Sequence, residues 1–176
     1  MLTIHQRLGT VSPVSIDARL TLTHDQREKG RLRAVSDAGE EVQVFLERGK
    51  ALQVGEFLKS DCGKHIQVAG AIEPITEAHC HDWQTFARAC YHLGNRHVKI
   101  EVGDRWLRIK PDHVLEAMLI QQGLTVVSDN AVFNPESGAY APGTSHGHAH
   151  SHSHSSSHNH DAGHSHSHSK GHAHAD

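Results

Sequence analysis

The stretch Val98–Lys99–Ile100–Glu101–Val102–Gly103–Asp104–Arg105–Trp106–Leu107–Arg108–Ile109 decides the fold. Alternating apolar and polar residues over Val98–Val102 predict a half-buried strand, Gly103–Asp104 the turn and Trp106–Ile109 the return strand. A helical run flanks this hairpin on each side. Before it, Trp83, Phe86, Ala87 and Cys90 recur at helical spacing and predict one apolar face, with Asp82 as the cap. Gly94 reads as the left-handed residue that closes this helix after Leu93. After the hairpin, Pro111 suits a first helical residue, Val114, Leu115, Met118 and Leu119 share a face, and Gly123 is the stop. Ile75–Thr76–Glu77–Ala78 and Leu124–Thr125–Val126–Val127 supply the outer strands. The order β-α-β-β-α-β is the ferredoxin-like arrangement, expected over residues 74–142.

Upstream, residues 1–73 read as a small all-β domain. Alternation recurs at Arg31–Leu32–Arg33–Ala34 and Glu41–Val42–Gln43–Val44, with a hairpin loop at Ser36–Asp37–Ala38–Gly39. Ile66–Gln67–Val68 is a further short strand. The polar run His24–Asp25–Gln26–Arg27–Glu28–Lys29 reads as a turn or short helix. The whole is therefore an α+β protein of two domains. Downstream, Pro135, Ser137, Gly138, Pro142 and Gly143 mark a linker. Residues 143–176 follow as a segment without large apolar side chains beyond its start, which cannot offset its own ordering entropy and is expected to be disordered.

Composition narrows the function. A net charge of −3, with 17 basic against 20 acidic residues, lacks the clustered Lys and Arg of a nucleic-acid footprint. The start, Met1–Leu2–Thr3–Ile4–His5–Gln6–Arg7, has no signal-like apolar run, and no stretch approaches a membrane span. Cys62, Cys80 and Cys90 are odd in number without C-x-x-C spacing, as expected of reduced thiols in the cytoplasm. No nucleophile is paired with a base, and no H-E-x-x-H motif occurs, so no enzyme activity is expected.

Histidine is the informative residue. Twelve of the 20 lie in residues 146–176: His146, His148, His150, His152, His154, His158, His160, His164, His166, His168, His172 and His174. Such tracts read as metal binding. Imidazole suits nickel, copper and zinc alike, so the ligand type specifies only a divalent transition metal. On the folded part, His97 leaves the first helix at its carbonyl end, where partial negative charge favours a cation. One imidazole is too few for a tight site. A two-fold homodimer would bring two copies together on the axis, and tail histidines or His113 would complete the shell. His113 is the weaker candidate, because it opens the second helix, whose positive end repels a cation. His92 is expected to face solvent or a partner. His79–Cys80–His81 needs a turn to converge on one ion, because neighbours on a strand alternate faces. His5, His24 and His65 are expected on the surface, without ligand-like neighbours.

The string His92–Leu93–Gly94–Asn95–Arg96–His97 resembles the signature of the urease accessory protein E (UreE) family, the nickel metallochaperones. The resemblance extends to Asp112–His113–Val114–Leu115 and to Gln26–Arg27–Glu28–Lys29–Gly30–Arg31–Leu32–Arg33. It covers most of residues 1–142, and a histidine-rich end is also common in that family. It implies a ferredoxin-like second domain and a first domain that contacts protein partners. It further implies His97 as the dimer-interface ligand for Ni(II), with Zn(II) or Cu(II) as possible substitutes in vitro. The expected partners are a UreG-like GTPase and the urease apoprotein in its maturation complex. Some members carry a histidine two residues before His113; here that position is Pro111. A transition-metal storage or detoxification protein acting through the tail is the alternative.

Overall fold

The computed structural model describes residues 1–13 and 15–137. The linker beyond residue 137 and all twelve tail histidines lie outside the described residues. The chain up to there forms two domains, one strand-rich and one of mixed strands and helices.

The first sheet has six strands: β1 (Leu2–Gly9), β2 (Ala18–Leu22), β3 (Arg31–Val35), β4 (Glu41–Phe45), β5 (Phe57–Ser60) and β6 (His65–Gly70). Their order is β2-β6-β5-β1-β4-β3. The predicted hairpin forms between β3 and β4, with Leu32 opposite Val44. Its loop closes with Gly39 N–H on the Ser36 carbonyl at 2.8 Å, Gly39 taking φ +79°. Strand β1 pairs parallel with β4, and β2 parallel with β6. Every second residue points inward, so Leu2, Ile4, Leu20, Leu22, Val42, Val44, Ile66 and Val68 make one core. At its edge the Arg7 guanidinium grips the buried Glu56 carboxylate at 2.5 and 2.6 Å.

The polar run after β2 is a one-turn helix, α1 (His24–Arg27), opened by a reciprocal capping box between Thr23 and Gln26. It is not a surface element. His24 and Arg27 are buried, Arg27 at 2% exposure, which corrects the expectation that His24 faces solvent. His5 is exposed as expected, and His65 is half-buried. Arg27 is accommodated because its guanidinium donates to three oxygens: the Phe133 carbonyl, Asn134 Oδ1 at 3.2 Å and the Leu52 carbonyl at 3.3 Å.

The second sheet holds β7 (Ile72–His79), β8 (Glu101–Val102), β9 (Trp106–Ile109) and β10 (Thr125–Val132), with α2 (Trp83–Gly94) after β7 and α3 (His113–Gln121) after β9. The strand order β10-β7-β9-β8 is antiparallel throughout. This is the ferredoxin-like arrangement. Ala78, Phe86, Ala89, Leu93, Leu107, Ile109, Leu119 and Leu124 form its core.

Four local expectations change. The predicted strand Val98–Val102 shrinks to Glu101–Val102, because the Ile100 carbonyl accepts from Glu136 N–H (2.9 Å) instead of a neighbouring strand. In α2 the buried face is Phe86, Ala89 and Leu93, while Trp83 and Ala87 are exposed. In α3 Val114 is exposed, and the helix starts at His113 with Asp112, not Pro111, at its mouth. Gly94 is an ordinary helical residue, and the left-handed residue after α2 is His97.

The chain leaves the second sheet under restraint. Phe133 is fully buried, Asn134 N–H donates to Glu101 Oε2 at 3.0 Å, and Glu136 N–H to the Ile100 carbonyl.

Candidate metal centre

Helix α2 is fixed at both ends. Asp82 accepts from Thr85 N–H at 2.8 Å, which holds its carboxyl below the usual carboxylate range. Its buried face carries Cys90 half-buried beside it, where burial pushes the thiol up. Trp83, Ala87 and Tyr91 recur every four residues and are all exposed, leaving an apolar stripe along the opposite face.

The far end is a Schellman closure. His97 N–H donates to the Gly94 carbonyl at 2.9 Å and Val98 N–H to the Leu93 carbonyl at 3.1 Å. Leu93 and Val98 meet in the same core. This closure needs a left-handed residue just outside the helix, and His97 provides it at φ +56°. Its imidazole therefore stands exposed on a backbone that is hydrogen-bonded on both sides.

The expected pull of unpaired carbonyls is weaker than the sequence suggested. Tyr91 accepts from Asn95 N–H at 3.0 Å, His92 from Arg96 Nη1 at 3.0 Å, and Leu93 and Gly94 are used by the closure. The Arg96 guanidinium thus already supplies positive charge at this helix end. Position, not charge, is what the structure offers at His97.

The other candidates divide. His113 is exposed at the first position of α3, beneath the Asp112 carboxylate that accepts from Val114 and Leu115 N–H at 2.9 and 3.1 Å. His92 is half-buried rather than free in solvent, edge-on to Tyr91 at 5.5 Å. The His79–Cys80–His81 trio does not converge. His79 Nε2 is 2.7 Å from Glu77 Oε1, Cys80 packs on the core, and His81 is exposed. Within one chain and among the described residues, neither His97 nor His113 belongs to a set of three metal donors.

One such set exists where none was anticipated: His24, Asp25 and Glu28, with ligand atoms all within 4.8 Å of one another. Burial pushes the His24 imidazole below the ordinary histidine range, outweighing the opposing pull of Glu28. The only signal in the sequence was the i, i+4 spacing of His24 and Glu28, which is common on exposed helices.

Comparison with known proteins places the chain. The family model described as "UreE urease accessory protein, N-terminal domain" matches residues 4–71, and that of the C-terminal domain matches residues 73–175. A protein from Marinomonas sp. (strain MWYL1) named "Urease accessory protein UreE" is 62% identical over 146 residues, 83% of this chain and 99% of its own. Proteins of the same name from Alteromonas mediterranea and Psychromonas ingrahamii are 49% identical over 140 residues and 46% over 147. Those matches cover 80% and 84% of this chain, and 90% and 95% of theirs.

Proposed function

We propose, since this chain belongs to the UreE family of urease accessory proteins, that it is a nickel metallochaperone delivering Ni(II) for assembly of the urease active site. The observation that carries this reading is His97: an exposed imidazole fixed at a left-handed helix closure, where glycine is the ordinary residue. Nickel here is cargo, and the chemistry is ligand exchange without a catalytic step.

A homodimer completes the site. Two copies of His97 on a two-fold axis supply two imidazoles, and His113 or tail histidines supply the rest. The exposed stripe of Trp83, Ala87 and Tyr91 on the same helix supports burial of this face against a second copy. Tail histidines capture the ion from the cytoplasm, and the His97 pair holds it for transfer to a UreG-like GTPase and the urease apoprotein complex. Zn(II) and Cu(II) bind the same imidazoles in vitro.

The concentration of twelve histidines in residues 146–176 favours a second reading, metal storage through the tail alone. Nickel calorimetry with urease activation at limiting nickel separates the two. At about two to four imidazoles per ion, deleting residues 146–176 removes roughly three to six ions per chain. About one ion per dimer remains. His97→Ala does the reverse, sparing bulk capacity and impairing activation. Full activation by His97→Ala, or a monomer in sedimentation with and without nickel, would sink the chaperone reading.

A further inference from the structure

The short helix α1 carries chemistry of its own. Only 7% of the His24 side chain is exposed. Its ring lies edge-on to Phe133 at 5.4 Å, and its backbone N–H is held by Glu73 Oε1 at 2.8 Å. Its Nδ1 is buried with no hydrogen-bond partner among the described residues. What faces that nitrogen is a pair of carboxylate oxygens, Asp25 Oδ1 at 3.8 Å and Glu28 Oε2 at 3.9 Å. These separations are too long for hydrogen bonds.

The outer oxygens of both carboxylates are engaged elsewhere. Asp25 Oδ2 lies 3.5 Å from Lys110 Nζ, and Glu28 Oε1 meets Lys99 Nζ. Each lysine steers its carboxylate by one oxygen and leaves the other turned on the same imidazole nitrogen. Three donor atoms thus lie within 4.8 Å of one another around one small volume.

We propose that His24, Asp25 and Glu28 form a binding site for a divalent first-row transition-metal ion, distinct from His97. The donor set specifies the class of ion. An imidazole argues against calcium and magnesium, which take all-oxygen shells, and the absence of a thiolate from the trio argues against Cu(I). Tetrahedral ligands about 2.1 Å from a zinc ion lie about 3.4 Å apart. Each carboxylate need close on the imidazole by only about half an ångström, and the set as a whole, spread over as much as 4.8 Å, by up to about 1.4 Å. Asp25, 71% exposed and held by Lys110 through its other oxygen, has room for that movement. Water fills the remaining positions. The ion would sit where α1 meets Glu73 and Phe133 of the second domain, with Lys99 and Lys110 limiting the net negative charge and hence the affinity.

The test uses the full-length protein with histidine 15N label and Zn(II) alone as the probe. The expected result is a zinc-dependent shift of the His24 Nδ1 resonance. Asp25→Asn with Glu28→Gln should weaken that response about tenfold or more, since even a partner hydrogen-bonded to a ligand is worth about 10–100-fold. The metal-free spectrum of the variant should stay close to wild type, because both carboxylates lie at the surface. A His24 resonance unmoved at zinc concentrations that shift His97 and the tail imidazoles would overturn the site. So would a shift of undiminished affinity in the double variant, which would mean that the carboxylates are not ligands.

Discussion

Helices α2 and α3 end in the same hydrogen-bond pattern with different residues at its critical position. After α3, Gly123 N–H donates to Ile120 and Leu124 N–H to Leu119, at 2.9 and 3.0 Å, and Gly123 takes φ +93°. After α2, His97 and Val98 make the equivalent bonds, and His97 takes φ +56°. A left-handed backbone costs an L-residue about 1–2 kcal/mol and glycine almost nothing. At α3 the motif only turns the chain. At α2 a glycine stands three residues earlier, spent inside the helix, and the strained position goes to an imidazole. A local cost accepted at one of two otherwise matching ends points to a use for that side chain.

The sharpest way to break this comparison is His97→Gly, which keeps the motif and removes only the ring. Nickel affinity at the folded site should fall about tenfold or more, and urease activation at limiting nickel should fall with it. Calorimetry on wild type and variant decides this, and an unchanged one-ion-per-dimer site would end the argument. Next in size is Gly123→Ala. A Cβ there meets nothing within 4 Å, so the loss, about 1–2 kcal/mol in urea unfolding, comes from the backbone angle alone. His97→Gly should move stability the opposite way, upward by about 1 kcal/mol, while function is lost.

The smallest effect concerns the other end of α2. Thr85 N–H holds the Asp82 carboxyl below its ordinary value. The folded state therefore binds that proton less readily than the unfolded chain. The cap's contribution is complete above the unfolded value of about 4 and is lost as pH falls through the lower folded value. The urea midpoint of wild type should drop more between pH 5 and pH 3 than that of Asp82→Asn. Equal drops would remove Asp82 as an acid-sensitive cap.

Much of this fold was legible because its signals are local. Period-2 alternation at Arg31–Ala34 and Trp106–Ile109, the cap at Asp82 and the stop at Gly123 are each decided within a few residues. The failures have distant causes. His24 and Arg27 look like solvent-facing residues of a polar turn, and they are buried by Glu73 and Phe133, 49 and 106 residues away. Val98–Val102 alternates like a strand, but the helix closure takes its start and Glu136 takes a carbonyl at its centre. Trp83 and Ala87 fit a helical face as well as Phe86 does, and spacing alone does not say which face meets the sheet. At the candidate centre, His97 stood out through its motif. Its left-handed backbone did not, because Gly94 nearby is the residue normally expected there.

The clamp on the departing chain bears on how such a molecule changes over generations. Phe133 and Asn134 are tied to the Arg27 guanidinium, Asn134 also to Glu101, and Glu136 to Ile100. Every one of these bonds is made before the first tail histidine. A terminus anchored so firmly upstream can gain, lose or exchange histidines with little cost to folding. On the proposed reading, metal capacity becomes a trait that selection can adjust through the number of these histidines, while the geometry around His97 is inherited intact.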